Sequence, residues 1–322
     1  MINGSKTILM SGCAGQLMND IIDKVHEHNL IVHSLTGFTT TNNFSNKKTH
    51  LSGKGGHLTL HSCNRQQWDI TDDTATKVLF ENHDPDIYIN GASIHSVDDI
   101  ESDPSRAFEV NVVAPSRIAK LCNKHNTTFI NISTNYVFGG QEKAGPYAED
   151  SSMSPTNMYG IIKAAGETTV ANECDSYTNI RVAGLFGKTG SRAKNNTNFP
   201  MVILDKLEND KELEVVVDQV MNVGYTVDIA RALVKLLEKD ISQLGTVYHL
   251  VNQGDLTWYD LAHFIVELKG YNPSKVLKAI TSSKHYDGAK RAMYSAIVNT
   301  QTELLPTWQS AIVRFLKEID EL

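Results

Sequence analysis

Cysteine is scarce in this chain. Its 322 residues include four, Cys13, Cys63, Cys122 and Cys174. They lie too far apart to form a C-x-x-C pair, so zinc-site and dithiol readings lapse and no disulfide framework is expected. Reduced thiols fit a cytoplasmic compartment. Basic charge is also short: 30 Lys and Arg stand against 37 Asp and Glu, for a net charge of −7. A broad electrostatic grip on nucleic acid is therefore not expected. No apolar run approaches the ~20 residues that span a bilayer, so no membrane partner is expected. The opening MINGSKTILMSG is too polar ahead of its apolar run for a signal peptide. Without such a signal, the N-x-S triplets at Asn43 and Asn131 are chance matches. Internal repeats and a clean linker are missing too, which favours interleaved lobes over separate beads.

What is present is ordinary globular material, 41% hydrophobic and 21% charged, enough for one large domain or two lobes sharing a core. KTILMS (6–11) predicts a buried strand, followed by a helix to about residue 28. LIVHSL (30–35), DIYING (86–91) and TFINIS (128–133) predict further strands, with a helical stretch from about Ser105 to Lys124. Apolar runs alternating with helical patterns predict an α/β fold, a parallel sheet covered on both faces. Residues 36–67, rich in Thr, Asn, Ser, Gly and Lys, read as a long surface excursion with room for a small hairpin, and strand pattern resumes at about Trp68 and Asp69. Beyond residue 180, VYHLVN (247–252) predicts a strand, LTWYDLAHFIVEL (256–268) a helix and PTWQSAIVRFLKEI (306–319) a terminal helix.

Two stretches carry chemistry. In MSGCAGQLMND, Gly12 and Gly15 follow the first strand and open the first helix, where the backbone can approach a pyrophosphate favoured by the helix dipole. Met18 stands where a third glycine is usual. A glycine pair in such a turn also serves geometry alone. In INISTNYVFGG, Ser133 and Thr134 end a central strand, where open α/β sheets place their ligands. Tyr159 follows 25 residues after Thr134, with Lys163 one helical turn further in MYGIIKAAGE. A helix that merely happens to carry a tyrosine and a lysine is the plain alternative.

A strand-end hydroxyl followed by a Tyr–Lys pair resembles the extended short-chain dehydrogenase/reductase superfamily. The wording of GCAGQL, WDITD (68–72), PDIYINGASIHSVDDIESDP, STNYVFGG, PYAEDSSMSPTNMYGIIKAAGE, NFPMVIL, VVDQ and GTVYHLVNQGDLTWYDLA resembles one branch, the dTDP-4-dehydrorhamnose reductase (RmlD-like) family. The similarity runs over nearly the whole chain outside residues 36–67. It implies a Rossmann-type doubly wound parallel sheet with a smaller C-terminal substrate lobe. Residues 1–180 would form the dinucleotide-binding domain, 181–322 mainly the substrate lobe, with 223–252 returning to the first. The resemblance implies Thr134, Tyr159 and Lys163 as the catalytic set. Cofactor contacts would come from Gly12, Gly15, Gln16, Leu17, Ser34, Asp69, Ile70, Gly91, Ala92 and Ser93 with Tyr159 and Lys163. Substrate contacts would come from Thr134, Asn135, Asn198 and Arg291. No metal is implied.

Physical chemistry supports the carry-over. Reducing a ketone requires a proton at oxygen, and a tyrosine with pKa near ~10 donates reluctantly at neutral pH. A lysine ammonium at ~4 Å and an effective dielectric of ~20 is worth about 4 kcal/mol, roughly three pKa units, enough to bring Tyr159 near the working pH.

Several positions depart from the family pattern. The second predicted strand ends in Ser34 and Thr36, where an NAD-preferring enzyme carries an acid for the ribose. Lys47 and Lys48 follow and could meet a 2′-phosphate, or be plain solvated lysines. NADPH is the expected cofactor, with NADH the alternative. Asn135 replaces the family's aspartate, as in the regulatory β subunit of methionine adenosyltransferase. Gly184 stands where rhamnose-forming reductases have tryptophan, and DQVMNVGYT (218–226) lacks the usual Pro-Thr. Arg291 resembles a family loop arginine that could pair with a nucleotide diphosphate, though a surface ion pair is the plain reading. His95 is a loop histidine that could move a proton at a sugar carbon. Ile100 stands where plant-type epimerase-reductases have cysteine.

The expected function is NADPH-dependent reduction of the 4-keto group of a dTDP- or UDP-linked 4-keto-6-deoxy sugar. Two rivals stand beside it: a 3-epimerase/4-reductase of a UDP-linked deoxysugar, plain or acetamido, and a non-catalytic NADP-binding regulatory subunit. A homodimer is compatible with each.

Overall fold

A computed structural model describes residues 6–27, 31–34, 58–140, 145–209, 211–238, 244–285 and 288–320. The first half runs β1 (Lys6–Ser11), α1 (Gln16–Glu27), β2 (Ile31–Ser34), β3 (Leu58–Cys63), α2 (Asp73–His83) and β4 (Ile87–Asn90). Then come α3 (Val97–Ser102), α4 (Ser105–Phe108), a π turn at Glu109–Val113, α5 (Ala114–His125), β5 (Thr128–Thr134), α6 (Met158–Glu173) and β6 (Tyr177–Val182). The second half contains α7 (Phe199–Glu208), α8 (Thr226–Leu237), α9 (Trp258–Leu268) and a terminal helix Trp308–Glu318.

A seven-stranded sheet has the order β2-β3-β1-β4-β5-β6 followed by the strand Val247–His249, and every pairing in it is parallel. Its central strands are rich in apolar residues because both faces are covered. Ile8 and Met10 of β1 pack under α1 and α8 with Ile21, Val25 and Leu233. Leu9 points the other way, into a core with Leu79, Phe80, Ile118 and Phe129 from α2, α5 and β5. A separate core lies in the C-terminal lobe, where Ile203 of α7, Leu261 and Ile265 of α9, and Ile312 and Phe315 of the terminal helix meet. Among the described residues, no helix is long and apolar enough to cross a membrane.

One expectation is corrected. The third strand is Leu58–Cys63, inside the stretch read as a surface excursion, and Trp68–Asp72 is a turn. Leu60 and Cys63 are buried while polar His61 and Ser62 share the strand, so its composition imitates a loop. The turn has its own logic: the Trp68 indole donates to the Thr76 hydroxyl at 3.0 Å, and Asp72 caps α2 by accepting from the Thr74 and Ala75 amides. Residues 36–57 of the excursion lie outside the described residues.

Candidate active site

The chain leaves β1 toward β3 and later crosses to β4 on the opposite side, so the crevice of this sheet opens between the ends of β1 and β4. Gly12 sits there with φ +72°, and a Cβ on it would lie 2.4 Å from the Gly91 carbonyl carbon and 2.5 Å from the Ala92 nitrogen. Only glycine fits that turn. The same loop is pinned to β3 by the Cys13 amide, which donates to the Cys63 carbonyl at 3.0 Å. Gly15 differs: the nearest atom to a Cβ there is the Gly12 carbonyl oxygen at 3.4 Å. Helix α1 then begins with no acidic residue in its first turn, leaving its positive end available to an anion. Met18 fills the place of the usual third glycine by packing over Gly91, where an added Cβ would meet its Sδ at 2.3 Å. The missing side chain of Gly91 thus makes room for Met18. Leu17 is core, 4% exposed, so its main chain is the part able to meet a ligand. Gln16 donates to the Leu185 carbonyl at 3.2 Å, and the Ser93 hydroxyl to the Ile94 carbonyl at 3.3 Å.

The topology sets Ser34 apart from the crevice. β3, not β2, pairs with β1, and Ser34 ends the edge strand, one strand further out. The residues that leave the inner strand are Asn64 and Arg65. Arg65 is exposed and reaches the Asp69 carboxylate at 3.5 Å, with Arg106 on the same oxygen at 3.2 Å. The other Asp69 oxygen accepts from the Thr71 amide and hydroxyl. Ile70 is buried in the core. Lys47 and Lys48 lie outside the described residues.

Asn157 caps α6 by accepting from the Gly160 amide at 2.9 Å, which starts the helix one residue ahead of Tyr159. Tyr159, Lys163 and Glu167 then follow at helical spacing, all three buried. The pleat of β5 separates two adjacent hydroxyls. Ser133 donates to Glu167, whose carboxylate also holds Arg181 in a buried ion pair at 2.8 Å. Thr134 lies near enough to Tyr159 to act on its hydroxyl, and its own hydroxyl oxygen accepts from the Tyr136 amide at 3.2 Å. Lys163 Nζ donates to the Ile132 carbonyl at 2.8 Å.

Here a second expectation is corrected. Burial raises the Tyr159 pKa well above its usual value; the Thr134 hydroxyl opposes this and Tyr136 adds to it. The phenol is therefore not poised near neutrality. Burial instead pulls Lys163 down to about 8, against the attraction of Glu167, and its ammonium is spent on the Ile132 carbonyl.

On the substrate side, Asn135 is buried and donates to the Ser295 hydroxyl at 3.0 Å and carbonyl at 3.2 Å. Asn198 caps α7 through its oxygen and donates to the Gly187 carbonyl at 2.8 Å. Arg291 grips both oxygens of Asp98, at 2.9 and 2.7 Å. Asn198 and Arg291 are thus engaged by the protein itself.

A family model described as "RmlD substrate binding domain" matches residues 6–321. The chain belongs to that family. It is 32% identical to a dTDP-4-dehydrorhamnose reductase of Mycolicibacterium smegmatis, covering 80% of this chain and 77% of that protein. It is 29% identical to the spore coat polysaccharide biosynthesis protein SpsK of Bacillus subtilis, covering 84% of this chain and 97% of that protein. The fold superposes on a dTDP-4-dehydrorhamnose reductase of Bacillus anthracis, solved in complex with NADP, with a TM-score of 0.81 at 22% identity, over 98% of this chain and 99% of that one.

The departures from the family wording have structural expression. Gly184, with φ +43°, lies so close to Asn222 and Val223 that a Cβ would meet the Asn222 carbonyl oxygen at 2.8 Å, which leaves no room for a tryptophan on this backbone. His95 is exposed and shares a hydrogen bond with the Ser191 hydroxyl at 3.2 Å.

Several residues escaped the sequence reading. Arg65 was hidden because its strand was. Asp98 had no signal linking it to Arg291, which lies 193 positions away. Asn111, on the π turn, accepts from the Ile94 amide at 3.0 Å and donates to its carbonyl at 2.8 Å, fixing the loop after β4. Its polarity amid VNVV was the only hint.

Proposed function

We propose that the chain reduces the 4-keto group of a nucleotide-linked 4-keto-6-deoxy sugar with NADPH, its first 180 residues holding the cofactor and its C-terminal lobe mainly the substrate. The observation that carries this reading is the convergence of Thr134 and Tyr159, with Lys163 one turn behind, at the C-terminal end of a central strand. The names of the relatives support the substrate class.

The crevice fits a dinucleotide. Gly12 packs on Gly91, Gly15 leaves space above the loop, and α1 presents a helix start free of acidic side chains. Arg65, leaving the strand next to β1, is placed to meet a 2′-phosphate. When bound, the cofactor supplies the hydride that reaches the carbonyl carbon.

The chain's own residues manage the oxygen. Thr134 hydrogen-bonds the carbonyl oxygen and holds it against Tyr159, which gives it a proton. A phenol with a raised pKa stays protonated throughout the neutral range, the form a donor needs, and the alkoxide formed by hydride arrival is a far stronger base than phenolate. Lys163, positively charged below about pH 8, favours the phenolate left behind. Arg291 shares its guanidinium between Asp98 and the substrate diphosphate. The test is turnover: purified protein, NADPH and a dTDP- or UDP-4-keto-6-deoxy sugar should give NADP and the 4-hydroxy sugar, and no consumption on either sugar would overturn the reading.

A further inference from the structure

Gln219 follows the strand Leu213–Val216 and precedes Val220, whose amide donates to the Met293 carbonyl and whose carbonyl accepts from the Ser295 amide, each at 2.9 Å. The backbone just after Gln219 is thus held by the segment that carries Arg291. The Gln219 side chain is 6% exposed, and its Nε2 has no hydrogen-bond partner among the described residues. It lines a cavity with Tyr136, Met221, Trp258, Arg291 and Ser295.

That cavity adjoins the reaction centre by two routes. Tyr136 sets its ring edge-to-face on Tyr159, with centroids 5.5 Å apart. Asn135, the residue after Thr134, donates to Ser295. A buried amide N–H without an acceptor is unfavourable, and native interiors seldom keep one. A few polar groups lining a pocket with an aromatic and a thioether wall are the usual design of a ligand site, where the ligand completes an open hydrogen bond.

We propose that Gln219 is a specificity-determining residue whose Nε2 donates to an oxygen of the nucleotide sugar, while Trp258 and Met221 cover the apolar surface beside it. This rests on the reductase reading above. The oxygen is either a carbonyl of the pyrimidine base or a hydroxyl of the sugar, and two probes tell them apart.

The experiment is titration calorimetry on the full chain with dTDP and with dTDP-rhamnose, for wild type, Gln219→Met and Gln219→Glu, alongside NADPH binding and steady-state kinetics. Gln219→Met is expected to lose about tenfold in affinity for dTDP-rhamnose, the worth of one neutral hydrogen bond. KM should rise while kcat and NADPH affinity hold. Gln219→Glu keeps the size, removes the donor and should lose at least as much. An equal loss for dTDP places the acceptor in the nucleotide half, and a loss confined to dTDP-rhamnose places it in the sugar. Undiminished binding by both variants, with the wild type binding well, would overturn this assignment and leave the reductase reading intact. A wild type that binds neither these probes nor UDP and UDP-rhamnose would overturn both.

Discussion

Lys163 Nζ donates to the carbonyl of Ile132 at 2.8 Å, two residues before Thr134 on the same strand. This bond ties the middle of α6 to the end of β5, so the helix that carries Tyr159 is registered against the strand that carries its hydroxyl partner. The lysine is a fixture of the site as well as a charge.

Its titration follows from its burial. Desolvation lowers the Lys163 pKa from 10.5 to about 8, with Glu167 opposing. The charged form, which favours a phenolate on Tyr159, is full below pH 7 and is lost as pH rises through about 8. The profile of kcat/KM, which reports ionisations of the free enzyme, should therefore show a descending limb near pH 8. A profile flat from pH 7 to 9.5 would contradict the assigned role.

Arg65 makes the cofactor preference testable. Its ion pair with Asp69 is a loose 3.5 Å contact, and its side chain is 74% exposed, so a phosphate can engage it at little cost. NADPH should bind more tightly than NADH by at least the ~1.4 kcal/mol of a tenfold ratio. Arg65→Ala should bring the two affinities together by weakening NADPH alone. Titrations in which the variant keeps the wild-type ratio would remove Arg65 from the site.

Gly12 and Gly15 should respond differently. A Cβ at Gly15 meets nothing closer than 3.4 Å, so Gly15→Val should fold with an unchanged circular dichroism spectrum and fail to bind NADPH, because its branches fill the space a pyrophosphate needs. Gly12→Ala should instead lose stability, given its φ of +72° and the clash with Gly91. Full NADPH affinity in Gly15→Val would mean that the loop is only a turn.

The legible parts of this protein were those written locally. Apolar runs such as KTILMS and TFINIS marked strands because both sheet faces are covered, and a spacing of four put Tyr159 and Lys163 on one helix. β3 was missed because His61 and Ser62 make a sheet strand look like loop, and with it went Arg65. The sequence offered Ser133 and Thr134 as neighbours; only the pleat sends one to Glu167 and the other to Tyr159. Partners distant in the chain were out of reach: Ile132 for Lys163, Asp98 for Arg291, and the Gly91 gap that lets Met18 replace a glycine. Burial also reversed the pKa expectation for Tyr159, since spacing says nothing about desolvation.

The central claim is that Tyr159 protonates the ketone during turnover. The most direct measurement compares NADPH oxidation by wild type and Tyr159→Phe on dTDP- and UDP-linked 4-keto-6-deoxy sugars, with and without a separate 3,5-epimerase. The wild type should turn over. Removing the hydroxyl should cost about 10²–10⁴ in kcat, the usual worth of a positioned general acid, with NADPH and sugar binding retained. A wild type that binds NADPH tightly yet stays silent on every sugar, or a Tyr159→Phe variant as fast as the wild type, would contradict it.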